Sequence, residues 1–236
     1  MQFHEFLGIK TYPRTPAIDK FLDLAGLHNE NIRQGTGPTT PSTRQAVSPI
    51  ALDDLQTELG NCSRCPLHKG RTNIVCGEGS ARAPLFIAGD WPGPDDDRLA
   101  TPFSGEPGDL LDKMLKAIKL ERKDVFLTHI IKCCPPANRN PGPVEVKACL
   151  PYLYRQIEVI SPKFICAMGP LATQTLLKTN EPFLRLRGRI YHYSSIGGRD
   201  IPLLPTFHPG FLLKNPEMKK ASWNDLQLIE RKLRNG

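Results

Sequence analysis

Apolar and polar positions change places in short, regular blocks along residues 50–236. Four runs, 85–88, 125–131, 164–168 and 203–207, are short, apolar and mostly bounded by Gly, Pro or charged residues, the pattern of strands buried on both faces. Helical periodicity follows each of them, over 108–119, 144–160, 171–178 and 222–233. A further helix is predicted over 50–59, where Ile50, Leu52, Leu55 and Leu59 share a face and Asp53 and Asp54 lie in the first turn. Residues 190–195, with Tyr191 and Tyr193 between polar neighbours, read as an edge or hairpin strand. Pro151 should kink or break its helix just after Cys149. Strand-helix alternation of this kind predicts a three-layer α/β/α domain with a central, mostly parallel sheet of about four strands.

Residues 1–49 lack this rhythm. A short helix fits 18–27, but 35–49, GTGPTTPSTRQAVSP, has little to bury and reads as a linker. The expected organisation is an extension over 1–49 and one domain over 50–236.

Charge adds a partner class. Lys and Arg number 31 against 24 Asp and Glu, and residues 178–236 hold 11 basic and 5 acidic residues, so +6 of the +7 lies there. A basic face suits a polyanion, and nucleic acid comes before a membrane surface because no amphipathic lysine-rich helix stands out. No run approaches the roughly 18 apolar residues of a membrane span. The opening MQFHEFLGIKTYPRTP lacks the basic start and unbroken apolar stretch of a secretion signal. The expectation is a cytoplasmic protein, acting as a monomer, with no membrane partner.

Seven cysteines, an odd number, in a reducing compartment argue for metal or cluster ligation over disulfides. Cys62 and Cys65 form a C-x2-C pair, and Cys133 and Cys149 are separated by 15 intervening residues, one at a strand end and one near a helix start. Two such pairs can converge on one centre, and four thiolates suit a 4Fe-4S cluster or a zinc ion. Cys76 and Cys166 read as core cysteines, and Cys134 is an alternative to Cys133.

A second constellation is positional. In open α/β sheets ligands bind beyond the carboxyl ends of the strands. The stretch 85–105, LFIAGDWPGPDDDRLATPFSG, is a strand that stops at Gly89 and delivers a Pro/Gly/Asp loop carrying Asp90, Trp91 and Phe103. His129 and His208 also fall at or near strand ends, so the fold would bring Asp90, His129 and His208 to one rim. A neutral imidazole at His208 suits donation to a developing oxyanion.

In order and spacing, the C-x2-C, GDWPGPDDDRLATPFSGEPGDLLDKML, THIIKCCPPANRNPGP, Cys149 ahead of LPYL, MGPLATQTLL, RGRIYHY and PTFHPGFLL resemble the iron-sulfur uracil-DNA glycosylases, family 4 of their superfamily, over about residues 62–233. The resemblance implies a uracil-DNA glycosylase-like fold and a monofunctional glycosylase of base excision repair. Such an enzyme flips uracil or another deaminated base out of double- or single-stranded DNA and hydrolyses its N-glycosidic bond, with no metal in the chemistry. It implies cluster ligands at Cys62, Cys65, Cys133 and Cys149. It places the first-motif acid, usually Glu, at Asp90, the base-stacking ring at Phe103 and the second-motif His at His208, with Gly89, Trp91 and His129 beside the base. Phe211 and Leu212, with Leu213, are positioned for an apolar wedge, and Lys214, Lys219 and Lys220 for phosphates. Asn138 and Arg139 match the family's NR pair and shape the loop over the cluster.

Two positions depart from the family. His129 stands where the family has an Asn that reads the uracil edge as donor and acceptor, and a neutral imidazole nitrogen does only one of these. Trp91 stands where the family carries a small residue, so its indole would crowd the pocket or add a stacking surface. The rival readings are a glycosylase of shifted base specificity, a catalytically silent iron-sulfur DNA-binding protein, and a redox protein.

Overall fold

The computed structural model describes residues 52–235. The predicted extension, its helix at 18–27 and its linker lie outside the described residues, as do the first two positions of the helix predicted over 50–59. In chain order the elements are α1 (Leu52–Leu59), β1 (Glu78–Gly79), β2 (Leu85–Gly89), α2 (Pro94–Leu99), α3 (Gly105–Ala117), β3 (Val125–His129), α4 (Pro143–Ile160), β4 (Phe164–Met168), α5 (Pro170–Leu177), α6 (Phe183–Leu186), β5 (Tyr191–Ser194), β6 (Asp200–Thr206), α7 (Pro209–Lys214) and α8 (Lys219–Asn235).

One sheet runs in the order β1-β3-β2-β4-β6-β5. Its four central strands are parallel and are the four apolar runs of the sequence, while β1 and β5 close the edges antiparallel. Among the described residues the sheet thus has six strands, the four expected and two at the edges: β5 is the predicted edge strand, and β1, two residues long, is too short to show a period. The chain leaves β2 for β3 on one side and returns to β4 on the other. That reversal opens a crevice beyond the paired strand ends at Gly89 and Met168.

Strict alternation along each central strand sorts the core into two layers. Phe86, Phe126, Ile165 and Leu203 face α4 and α5, packing on Leu153, Ile157 and Leu176. Ile87, Leu127, Cys166 and Leu204 face the other way, onto Leu111 and Leu115 of α3 and Leu226 and Ile229 of α8. Side chains of successive strand residues point to opposite faces, so a strand covered on both sides must be apolar at every position.

Two expectations are corrected. Helix α4 runs unbroken through Pro151. A helix-interior proline costs about 3 kcal/mol. Burial of each large apolar side chain returns about 1.5–3 kcal/mol, and Tyr152, Leu153, Ile157 and Ile160 are all buried within the same helix. The stretch after Gly89 is not all loop, because residues Pro94–Leu99 form α2. Its Pro94 stands at the first helical position and Asp95, Asp96 and Asp97 in the first turn, where fixed φ and negative charge favour a helix start.

Candidate active site

Three rings meet beyond the carboxyl ends of the strands. His129 ends β3, His208 caps the start of α7 just after β6, and Phe103 is carried in by the segment between α2 and α3. The Phe103 ring lies 4.6 Å from the His129 ring and 5.4 Å from the His208 ring, the latter pair stacked at 22°. Gly89, the last residue of β2, makes the convergence possible. A Cβ there would stand 2.4 Å from His129 Nδ1 and 2.8 Å from Phe103 Cζ, closer than any side chain tolerates.

The two imidazoles are held in different ways. His129, fully buried, bonds through Nε2 to Asp96 Oδ2 at 3.0 Å. Asp96 also accepts from the backbone N–H of Ser104 at 2.6 Å and of Gly93 at 3.2 Å. Burial works to raise the pKa of this carboxyl, but the bond from His129 and the two N–H groups outweigh it and hold it below its usual range. Burial lowers the His129 pKa in spite of the Asp96 charge, so the ring is neutral. His208 accepts at Nδ1 from the backbone N–H of Gly210 at 3.1 Å. Burial, with His129 adding to it, pushes its pKa down to about 3. Among the described residues each ring is left with one buried nitrogen that has no partner, Nδ1 of His129 and Nε2 of His208. Such orphans cost stability in a finished core. Beneath His129, the buried Lys132 braces the strand end by donating to its carbonyl at 2.6 Å and to Gln156 Oε1 at 2.7 Å. Neither Asp96 nor Lys132 stood out in the sequence. The helix-start pattern of 93–97 was the available signal for Asp96, and it read as turn-forming residues.

Asp90 reaches across the crevice. Its Oδ1 accepts from the backbone N–H of Ala172 at 2.7 Å, at the start of α5. Its carboxylate fills the space left by Gly169, whose φ of 113° suits glycine. Burial pushes the Asp90 pKa up to about 7, against the bonds from Ala172 and Leu171. This carboxyl therefore changes charge near neutrality.

Phe103 is placed by its backbone. Its φ is 53°, a left-handed conformation that costs a non-glycine residue roughly 1–2 kcal/mol. Arg122 holds it there, donating to the Phe103 carbonyl at 2.6 Å and the Pro102 carbonyl at 3.1 Å while pairing with Glu78 and Asp112, each at 2.6 Å. Gly108 lets α3 close over the same carbonyl, since a Cβ there would lie 1.9 Å from it.

The segment after His208 departs from expectation at one residue. Leu212 is 1% exposed and packs in the core under α3 and α8, so it is no wedge. The helical turn of α7 decides this by rotating Leu212 inward. Phe211 is half-buried and stacks on Phe207 at 4.9 Å, and Leu213 is half-buried without joining either core. Lys214, Lys219 and Lys220 are exposed.

On the opposite face of the sheet, Cys65, Cys133 and Cys149 are buried in one apolar cluster. Cys62, half-buried, lies near Cys65 and Cys133. Arg71 donates to Cys133 Sγ at 3.3 Å, whereas Cys134 points to the Pro135 carbonyl and faces Asp96 and Asp97. Burial pushes the Cys149 thiol up to about 11, the N–H of Lys132 opposing it. Cys166 sits fully buried within β4, and Cys76 is half-buried. Trp91 packs on this same face and donates from Nε1 to Asn138 Oδ1 at 2.8 Å, away from the Phe103 ring on the other face. The expectation that its indole enters the pocket is thereby corrected: Asn138 offers it a partner on the cysteine side. Arg139 next to Asn138 pairs with Glu145 at 2.6 Å, tying this loop to the start of α4. Among the described residues, no three of His, Cys, Asp and Glu gather tightly enough to hold a single metal ion, and no helix is long and apolar enough to cross a membrane.

Residues 76–227 match the family model described as the uracil DNA glycosylase superfamily. The type-4 uracil-DNA glycosylase of Archaeoglobus fulgidus is 36% identical over 183 residues, 76% of this chain and 92% of that protein. The type-4 enzyme of Pyrobaculum aerophilum is 37% identical over 75% of this chain and 92% of its own length, and that of Sulfurisphaera tokodaii 39% identical over 76% and 83%.

Proposed function

The chain belongs to the uracil-DNA glycosylase superfamily, and from that membership we propose that it is a monofunctional DNA glycosylase hydrolysing the N-glycosidic bond of uracil in DNA. The observation that carries this reading is the unpartnered, buried Nε2 of His208 beside Phe103. It is a fixed donor, already desolvated, and no group among the described residues accepts from it.

The residues divide the work as follows. A flipped uracil stacks on Phe103, entering as His208, the outermost of the three rings, parts from it. Glycosidic cleavage leaves the bonding pair on the base, and the Nε2–H of His208 donates to the uracil O2 that takes up this charge. One preorganised donor of this kind is worth roughly 10²- to 10³-fold in rate. Because burial keeps His208 neutral, it stabilises the anion without giving up its proton. Water adds to the sugar carbon as the bond to the base breaks, and ionised Asp90 takes the proton that water loses. The products are free uracil and an abasic site. Exposed Lys214, Lys219 and Lys220 meet phosphates, and Leu213 takes the wedge position that Leu212 has vacated. This work belongs to the domain over 50–236, in the cytoplasm, as a monomer on double- or single-stranded DNA.

Cys62, Cys65, Cys133 and Cys149 fit a 4Fe-4S cluster. The set is all thiol, largely buried, and spread too widely for one ion, whereas a cluster presents a separate iron to each sulfur. Bound there, a cluster would cross-link the segments after α1 and β3 to α4. Cys65, Cys133 and Cys149 lie on the face opposite Phe103, so a cluster held by them would take no part in the hydrolysis.

Incubating the purified protein with a uracil-containing oligonucleotide, then cleaving abasic sites with alkali, tests the activity. Strand breaks at uracil are expected, and an intact strand over single-turnover times would overturn the reading.

A further inference from the structure

The departure at His129 gains a definite meaning from its neighbour. Asp96 already accepts two backbone N–H groups and, as a carboxylate, has only lone pairs to offer. His129 Nε2, 3.0 Å away, must therefore be the protonated nitrogen. In a neutral ring that leaves Nδ1 as a bare acceptor, and this is the buried atom that has no partner among the described residues, pressed against Gly89 beside Phe103. At His208 the two nitrogens exchange roles. Its Nδ1 is occupied by the Gly210 N–H, so Nε2 carries the hydrogen. The two rings, 6.4 Å apart, thus present one acceptor and one donor to whatever stacks on Phe103.

We propose that Asp96 sets base selectivity by fixing the His129 tautomer, so that the site selects a lactam edge, an N–H beside a C=O, and reads uracil at N3–H and O2 with no contact required at position 4. This rests on the assignment of the pocket as the base site. Uracil gives N3–H to His129 Nδ1 and receives at O2 from His208. Cytosine would bring its N3 lone pair against that of Nδ1, so the parent base is refused at the ring nitrogen. An Asn at position 129 would add a donor to O4, which this site lacks. Asp96 touches no substrate and is a positioning residue.

The proposal separates two analogues that a site reading both groups would treat alike. In oligonucleotides, 3-methyluracil, which has lost the N–H, should be cleaved roughly 100-fold or more slowly than uracil, because the buried acceptor is left unpaired. With 4-thiouracil the rate should stay within about fivefold, less than one ordinary hydrogen bond is worth. Asp96→Asn supplies the inverse. Its carbonyl keeps the shorter bond to Ser104 and its amide faces His129, donating to Nε2 and moving the ring proton to Nδ1. Uracil cleavage should fall roughly 100-fold while cytosine cleavage appears above that of the unaltered protein. A simple loss of structure would lower both. Long-range proton–nitrogen spectra of the unaltered protein, with the His129 signals assigned by His129→Asn, give a readout free of turnover and should place the proton on Nε2. Equal cleavage of uracil and 3-methyluracil, loss of 4-thiouracil cleavage, or a proton on Nδ1 would overturn the proposal. If uracil is not cleaved at all but the spectrum shows the Nε2 proton, the assigned activity fails and the tautomer stands.

Discussion

Asp90 Oδ1 accepts a hydrogen bond across 2.7 Å from the backbone N–H of Ala172, linking the end of β2 to the helix that follows β4. This bond spans the point where the strand order reverses, and it holds the carboxyl where burial pushes its pKa up to about 7.

A group that works as a base only when ionised should then shape the pH profile. The single-turnover rate on uracil should rise about tenfold per pH unit below 7 and level off above it. Asp90→Asn should lose roughly 10²- to 10⁴-fold and its residual rate should be flat with pH. A flat profile in the unaltered enzyme would remove Asp90 from the role of base.

Stability should move the other way. The folded Asp90 pKa lies above the ordinary 3.8, so the folded state holds the proton more tightly and stability falls as pH rises from about 4 to about 7. Asp90→Asn keeps an acceptor for Ala172 and removes that slope. Its melting temperature should exceed that of the unaltered protein at pH 8 by more than at pH 5.

His208 has the opposite sign. Its folded pKa is pushed down to about 3 from 6.5, so the stability it contributes is whole above 6.5 and lost as pH falls toward 3. His208→Gln should flatten denaturation midpoints across that window. At pH 7.5 it should also slow uracil excision roughly 10²- to 10³-fold, and no limb of the rate profile between pH 5 and 8 should disappear with it.

Arg122→Ala tests the support of the stacking ring. Removing charged donors from the Phe103 and Pro102 carbonyls should cost about 2 kcal/mol in urea unfolding. Released from its left-handed conformation, Phe103 should bind substrate less well, raising KM more than it lowers kcat. Arg122→Lys should rescue only part, because one ammonium cannot span both carbonyls and the two carboxylates.

The lysines give a salt test. Replacing Lys214, Lys219 and Lys220 together by Ala should reduce the slope of log affinity against log salt by about 2.7 for duplex DNA, from roughly 0.9 per phosphate contact. An unchanged slope would place the DNA on another face.

Much of this molecule is legible along the chain. The four parallel strands, the large helices and the convergence of Asp90, His129 and His208 on one rim follow from two periodicities and the rule that loops at strand ends meet. Such patterns are local, and the core enforces them at every position. What escaped was set by contacts between distant segments. Trp91 turned to the cysteine face because Asn138, 47 residues on, accepts its N–H, and Leu212 turned inward because α7 packs against α3. Pro151 stayed helical because the packing around it outweighs one lost bond.

The sequence by itself determined which residue types reach the site and in what order. That His129 is an acceptor, however, is a property of its bond to Asp96, 33 residues earlier. The carboxylate lies in a short helix hidden in a turn-like string. A tautomer has no signature in sequence, because a ring's two nitrogens are told apart only by what the fold sets against them.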